Sequence, residues 1–346
     1  MAIWFIDGFD HYNIDTFGQP STATTYADIL RKWTSQQSSG GTKLISPLYA
    51  RSLPGMGFKT YNSDSNLYKV RPAGSTTNLI CGASFLFQNN PSTEILFSAR
   101  ETSTDQCSLR GDNAGHLTVT RNGTVLATSA NTISLNVWYW IEFKCTISSA
   151  AGTYHVKVDG TDWIAAATGK NTAATANINY TTVGLGGANI NTFIDDFYAG
   201  DGASDFIGYQ KVVTLRPCAA GTTTQFTPNF GNNFGNVNEI TPDGDFSFNQ
   251  SVTANHIDTF SFPDIPFAAG TISAIQHVIY AKQDAGAVRV IAPVQYSGGT
   301  AYVGTSRTLS TSYNYYTEVK ELNPVDSAAF DIADVNGAEF GYKLIS

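Results

Sequence analysis

Asp195 and Asp196 form the sharpest acidic pair in this 346-residue chain, with Asp201 and Asp205 close behind. Paired carboxylates do two kinds of chemistry. They flank a glycosidic bond as acid and base, or they supply several oxygen ligands to calcium. Neighbouring residues of a strand face opposite sides, so Asp195 and Asp196 are not expected to line one pocket directly. One of them is expected to point inward and bond loop amides or an arginine. No ordered ligand spacing runs through the four acids, so they read as structural, with a calcium site as the alternative. Glu142 stands alone between Trp140 and Lys144 and reads as a solvated glutamate on a strand face. Glu-x-Asp-x-x-Glu, Gly-x-Ser-x-Gly and His-Glu-x-x-His are absent from the sequence. The five histidines, His11, His116, His155, His256 and His277, are isolated. The sequence therefore names no catalytic residue, no cofactor-binding residue and no metal ligand, and an enzyme is not expected.

Aromatic residues offer a second chemistry. Trp138, Trp140, Trp163, Tyr12 and Trp4 make a carbohydrate platform conceivable, because rings stack on sugar C–H faces while Asn or Asp fixes hydroxyls. Trp138 and Trp140 share one strand face. The competing reading has that face packed under a loop or against a neighbouring subunit.

The elements that must position these residues are strands. In Leu135–Trp163, the residues Val137, Tyr139, Ile141, Phe143, Cys145 and Ile147 fall on one face. Trp138, Trp140, Glu142, Lys144 and Thr146 fall on the other, a period of two. After a turn at Ser148–Gly152, Tyr154, Val156 and Val158 continue the pattern to a hairpin signal at Asp159-Gly160. One apolar and one mixed face per strand calls for a covering second sheet. Leu79–Phe87, Ile95–Ala99, His116–Arg121, Thr181–Gly187, Thr192–Gly202 and Phe206–Leu215 read as further strands. Thr22–Trp33 is the one clear helical candidate of the first half, and Thr168–Asn179 reads as a polar loop. The expected fold is all-β: a large two-sheet jelly roll followed by a smaller β-sandwich. Residues 1–218 form the first domain, 219–250 an extended linker and domain entry, and 251–346 the second. Within the second, Thr271–Lys282 is apolar on both faces and is expected to be central, and a short helix is expected around Ala328–Val335.

Composition narrows the classes. Charged residues are 14%, against roughly 25% in an average soluble domain. The net charge is −8 with scattered Lys and Arg, so no basic footprint for nucleic acid exists. No 18-residue apolar run crosses a membrane. The opening MAIWFIDGFDHY lacks the regions of a secretory signal peptide, so synthesis in a cytoplasm is expected. Of Cys81, Cys107, Cys145 and Cys218, no two have zinc-pair spacing. Cys81 and Cys145 lie on apolar strand faces and read as buried thiols.

Several stretches together resemble the two-domain structural proteins of tailed bacteriophages. They are GFD at Gly8–Asp10, Trp33, WYWIEFK at Trp138–Lys144, VKVDG at Val156–Gly160, IDDFYAGDG at Ile194–Gly202 and FIGYQKVVTLRP at Phe206–Pro217. This part is similar to concanavalin A-like, laminin-G-like jelly rolls. VNEITPDGD at Val237–Asp245, SGGTAYVG at Ser297–Gly304 and ELNPVDSAAF at Glu321–Phe330 resemble the smaller β-domain that follows in such proteins. Phe330 stands where relatives usually carry Trp. The resemblance implies a non-enzymatic virion protein, made in the host cytoplasm, that presents β-domains on the capsid, neck or tail beside other virion proteins. A host-binding fibre or adhesin module that recognises a surface glycan is the alternative. Surplus aromatics on mixed strand faces and open sheet edges imply a homo-oligomer. The resemblance favours a trimer.

Overall fold

The computed structural model describes residues 2–12, 29–36, 42–51, 55–61, 66–186, 191–202, 205–284 and 286–346. The chain is all-β and divides into two compact units, Met1–Val212 and Val213–Ser346. The division falls ahead of Cys218, where the sequence placed it.

The first unit contains β1 (Ala2–Asp7), β2 (Ser35–Gln36), β3 (Thr42–Ser46), β4 (Gly57–Tyr61), β5 (Leu67–Val70), β6 (Asn78–Phe87), β7 (Ile95–Glu101) and β8 (Thr104–Gly111). Then come β9 (His116–Arg121), β10 (Thr124–Thr132), β11 (Trp138–Thr146), β12 (Gly152–Val158), β13 (Thr161–Lys170), β14 (Thr182–Leu185) and β15 (Thr192–Asp201). One sheet runs β13-β12-β11-β6-β15-β4-β3, with β1 paired to β15. The other runs β10-β9-β8-β7-β14-β5-β2. Alternation sends Cys81, Ala83, Phe85 and Phe87 of β6 inward with Ile141, Phe143 and Cys145 of β11, all buried. They meet Phe97, Cys107 and Leu109 of the facing sheet, also buried. Phe85 and Phe97 sit edge to face at 5.3 Å. Each of the phenylalanines, Ile141 and Leu109 contributes roughly 1.5–3 kcal/mol on burial.

The second unit contains β16 (Ala219–Thr224), β17 (Thr227–Pro228), β18 (Asn249–Gln250), β19 (Ile257–Ser261), β20 (Ile275–Ala281) and β21 (Val290–Ser297). It closes with β22 (Thr300–Val303), β23 (Arg307–Thr308), β24 (Asn314–Lys320), α1 (Ile332–Asn336) and β25 (Glu339–Leu344). Its main sheet runs β16-β19-β25-β21-β22, with β23 on β21, and β20 and β24 form a two-stranded layer. That layer packs on the main sheet, with His277 edge-on to Phe340 at 4.9 Å. Asp331 caps α1 by accepting from the Asp334 amide while the Asp334 carboxylate accepts from the Asp331 amide.

Several sequence expectations need correction. Phe206–Leu215 forms no strand; Phe206 and Ile207 instead pack on Ile80, Trp140 and Tyr198. Ala219–Thr224, expected in the linker, is an edge strand paired to β19. Lys170 still belongs to β13, so the polar loop begins later. Thr271–Lys282 is not central: β20 pairs β24, and Val278 on its outer face is 40% exposed. Of the helix expected over Thr22–Trp33, residues 29–32 are helical and 22–28 lie outside the described residues.

Candidate functional site

Strand alternation leaves Ile80, Gly82 and Ser84 of β6 and Trp138, Trp140, Glu142 and Lys144 of β11 on the outer face of the first unit's larger sheet. Residues 205–212 lie across the middle of this face. Phe206 and Ile207 pack on Ile80, Trp140 and Tyr198.

That cover changes the character of Glu142, which is fully buried rather than solvated. Its Oε1 accepts from the Tyr198 hydroxyl at 2.9 Å and from the Gly208 amide at 3.1 Å. Burial pushes its carboxyl above the ordinary carboxylate range, against the Tyr198 hydroxyl, the Gly208 and Ile207 amides and the Trp140 indole. Gly82 makes the arrangement possible. It lies directly opposite both Glu142 and Tyr198, and a Cβ there would sit 2.5 Å from Tyr198 Cε1.

The acidic pair also departs from the alternation rule. Asp195 pairs with Ser84 and Tyr198 with Gly82, so β15 carries one extra residue, a β-bulge. Asp196 takes up the difference at φ 57°, a left-handed conformation that aspartate tolerates. Both carboxylates therefore reach the same arginine, contrary to the opposite-face expectation. The Arg51 amide donates to Asp195 Oδ2 at 2.9 Å, and its guanidinium stands 3.1 Å from Asp196 Oδ2. The same guanidinium donates to Ser84 Oγ and to the Gln210 carbonyl at 3.0 Å. The Val212 amide donates to Asp196 Oδ1 at 2.7 Å. Burial pushes Asp196 up to about 6, with the Arg51 charge opposing. Burial and then the neighbouring Asp196 charge raise Asp195.

The other two acids go elsewhere. Asp201 holds Arg71 through two bonds of 2.8 and 2.5 Å. Asp205 is 79% exposed and accepts from the Phe206 amide at 2.8 Å. Among the described residues, no three His, Cys, Asp or Glu side chains gather as a metal site.

The expected aromatic platform is also rearranged. Trp140 is buried, and so is Tyr12, whose hydroxyl donates to Asp7. Trp4, Trp138 and Trp163 are half-buried. Among the described residues of the first unit, the exposed ring is Tyr209, at 65%, which sequence reasoning missed. The Arg51 guanidinium lies 4.2 Å from its centroid, and the Trp140 ring lies 5.9 Å away beneath it. Trp140 is thus the floor of a platform rather than its surface. The readable signal was the apolar run Phe206-Ile207-Gly208-Tyr209 following the acidic strand.

No protein family and no curated protein matches this sequence. Three solved structures that align with it are distant. Trypanosoma rangeli sialidase, in complex with 2,3-difluorosialic acid, is 13% identical over 46% of this chain at TM-score 0.34. In the two sialidase comparisons this chain spans only about a quarter of the sialidase, 25% and 27%. A glycoside hydrolase family 131 β-glucanase catalytic domain from Podospora anserina is 12% identical, covering 59% of this chain and 97% of that one at TM-score 0.33. Domain 4 of AbnA, an arabinanase from Geobacillus stearothermophilus, in complex with arabinotriose, is 13% identical, covering 48% of this chain and 78% of that one at TM-score 0.34. At these scores the likenesses carry neither family nor function.

Proposed function

We propose that the chain is a non-enzymatic glycan-recognition β-sandwich module, with the Tyr209 ring as its stacking platform. The observation that carries this reading is the setting of Tyr209: the side chain is largely exposed while the Arg51 guanidinium and the Trp140 ring lie against it at 4.2 and 5.9 Å. A ring ordered before binding loses little conformational freedom when a sugar stacks on it. The carboxylates beneath support binding over hydrolysis. A glycosidase needs two carboxylates flanking an accessible bond, whereas Glu142, Asp195 and Asp196 are buried and bonded to the covering segment and to Arg51. The wider setting we propose is the one implied by the sequence resemblance, display on a phage particle among other virion proteins.

A glycan array probed with the full chain tests the platform. Binding is expected, with a loss of about tenfold or more, or about 1.4 kcal/mol, in Tyr209→Ala. Phe246→Ala, an exposed aromatic of the other unit, should leave binding intact. An array without hits, or hits indifferent to Tyr209→Ala, would sink the reading.

A further inference from the structure

The end of β1 buries an amine against a carboxylate. Lys32 Nζ stands 3.2 Å from Asp7 Oδ1, and the two side chains are enclosed, at 2% and 0% exposure. The wall beside them is aromatic. Nζ lies 5.5 Å from the Phe5 ring centroid, and Phe5 meets Trp33 edge to face at 4.9 Å. The carboxylate is held at both oxygens. The Phe9 amide donates to Oδ1 at 3.0 Å. Oδ2 accepts from the Tyr12 hydroxyl at 2.5 Å and from the Trp33 indole at 2.7 Å. Lys69 donates to the Lys32 carbonyl and so anchors the backbone that carries the amine.

We propose that Asp7 and Lys32 condense in the folded chain to an amide, an intramolecular isopeptide crosslink between β1 and the helical turn at residues 29–32. The resting pair is ionic: burial pushes the Lys32 ammonium down with the Asp7 charge opposing, while burial of Asp7 is outweighed by the Lys32 and His11 charges and the Tyr12 and Phe9 donors. Reaction therefore begins with one proton passing from Lys32 Nζ to Asp7 Oδ1. The freed lone pair swings onto the carboxyl carbon, and the C=O electrons move to Oδ2. There the Tyr12 O–H and Trp33 N–H already stand as donors for the oxyanion that develops. The carbon–Oδ1 bond then breaks, and Oδ1 leaves as water with its own proton and a second one from the nitrogen. One ammonium and one carboxylate give one amide and one water, so no oxidant, reductant or further reactant is needed.

The setting supplies what a free amine and carboxylate lack. Well-oriented groups within one molecule react as if at about 10⁵ M or more. Two buried charges have also given up their water, so their removal relieves a cost. The amide oxygen keeps the Tyr12 and Trp33 donors, and enclosure keeps bulk water from the new bond. The crosslink would close a covalent ring from Asp7 to Lys32, which constrains the unfolded chain as a disulfide does.

Intact mass spectrometry of the purified full chain, reduced and denatured, reads the bond. A deficit of about 18 Da, one water, is expected against the mass the sequence dictates, with fragment ions that join Asp7 to Lys32. Asp7 precedes Gly8, and closure of its side chain on the Gly8 amide to a succinimide loses the same water. Hydroxylamine opens a succinimide and should leave the deficit in place here. Lys32→Arg, whose guanidinium is no nucleophile, should restore the full mass. A wild-type chain of full mass would overturn the proposal. So would a deficit that hydroxylamine removes, one that persists in Lys32→Arg, or fragments that place it elsewhere. The fragment assignment is made on the wild-type chain and decides the matter even where the variant fails to fold. None of these outcomes depends on the glycan reading of Tyr209.

Discussion

Gly82→Ala places one methyl group where β6, β11 and β15 leave no room. The added Cβ would stand 2.5 Å from Tyr198 Cε1, 3.0 Å from Trp140 Cζ2 and 3.1 Å from Glu142 Cγ. Carbon pairs rest at about 3.5–4.0 Å, so the Tyr198 ring must retreat by roughly 1 Å. It has nowhere easy to go, because it is buried, stacked on Trp140 at 6.1 Å and roofed by Phe206 and Ile207. Overpacking of this kind costs about 1–3 kcal/mol. Pulling the hydroxyl from the Glu142 carboxylate forfeits a further 1.5–3 kcal/mol or so. Stiffening of the unfolded chain by alanine returns about 0.4–1 kcal/mol. The net loss is roughly 2–5 kcal/mol, which for a unit of this size lowers the melting temperature by about 5–15 °C.

The assay is selective by composition. All five tryptophans, Trp4, Trp33, Trp138, Trp140 and Trp163, lie in the first unit, so tryptophan fluorescence melts report that unit. Gly123→Ala is the control. It has open space but φ 84°, and costs only about 1 kcal/mol. A Gly82→Ala melt within about 2 °C of wild type would refute the close-packed Glu142–Tyr198 seat and weaken everything built on it.

Asp258 is the corresponding hub of the second unit: fully buried, it accepts from the Gln225 and Phe226 amides at 2.6 and 2.9 Å and from Asn233 Nδ2 at 2.6 Å. Asp258→Ala leaves the buried Phe226 amide without this acceptor and removes one bond each from the Gln225 amide and Asn233 Nδ2, so it should destabilise this unit by roughly 1–3 kcal/mol; an unmoved calorimetric transition for the second unit, beside an unmoved tryptophan melt, would contradict that. The assembly reading predicts a homo-oligomer by light scattering at micromolar protein and discrete copies in purified particles. A monomer in solution, or particles lacking the chain by mass spectrometry, would remove the oligomer or the virion setting respectively.

The fold was legible wherever burial is decided by a strand's own alternation. β6, β11 and β12 show their inward residues at every second position, and the turn at Asp159-Gly160 is marked by residues that accept positive φ: 49° and 78°. Legibility failed where pairing partners decide. Phe206–Leu215 has strand-like composition but no strand to pair with, and Ala219–Thr224 looks like a linker yet finds β19. Neither outcome is written in the segment itself. The alternation of β20 was likewise visible, but apolar residues on both faces do not reveal how many neighbours a strand acquires.

The site was hidden by two nonlocal facts, and each has a physical reason. Alternation assigns Asp195 and Asp196 to opposite faces only if the pairing register is continuous, and one extra residue in β15 breaks it. Nothing in an Asp-Asp pair announces a bulge, although aspartate is among the few residues that adopt the required φ. Glu142 was misread because its solvation depends on a segment more than sixty residues away. The same strand, WYWIEFK, would be correct on an open sheet. What separates the cases is the surplus on its outer face: two tryptophans precede one acid, more apolar surface than a solvated face needs. Such a face calls for a cover, and the cover must satisfy the acid it buries. The run Phe206-Ile207-Gly208 meets both demands, with two apolar side chains for Trp140 and backbone amides for Glu142. A strand face that mixes large aromatics with one carboxylate, together with a later apolar run broken by glycine, is thus the sequence trace of a covering segment. The acid beneath it then acts as the fastening.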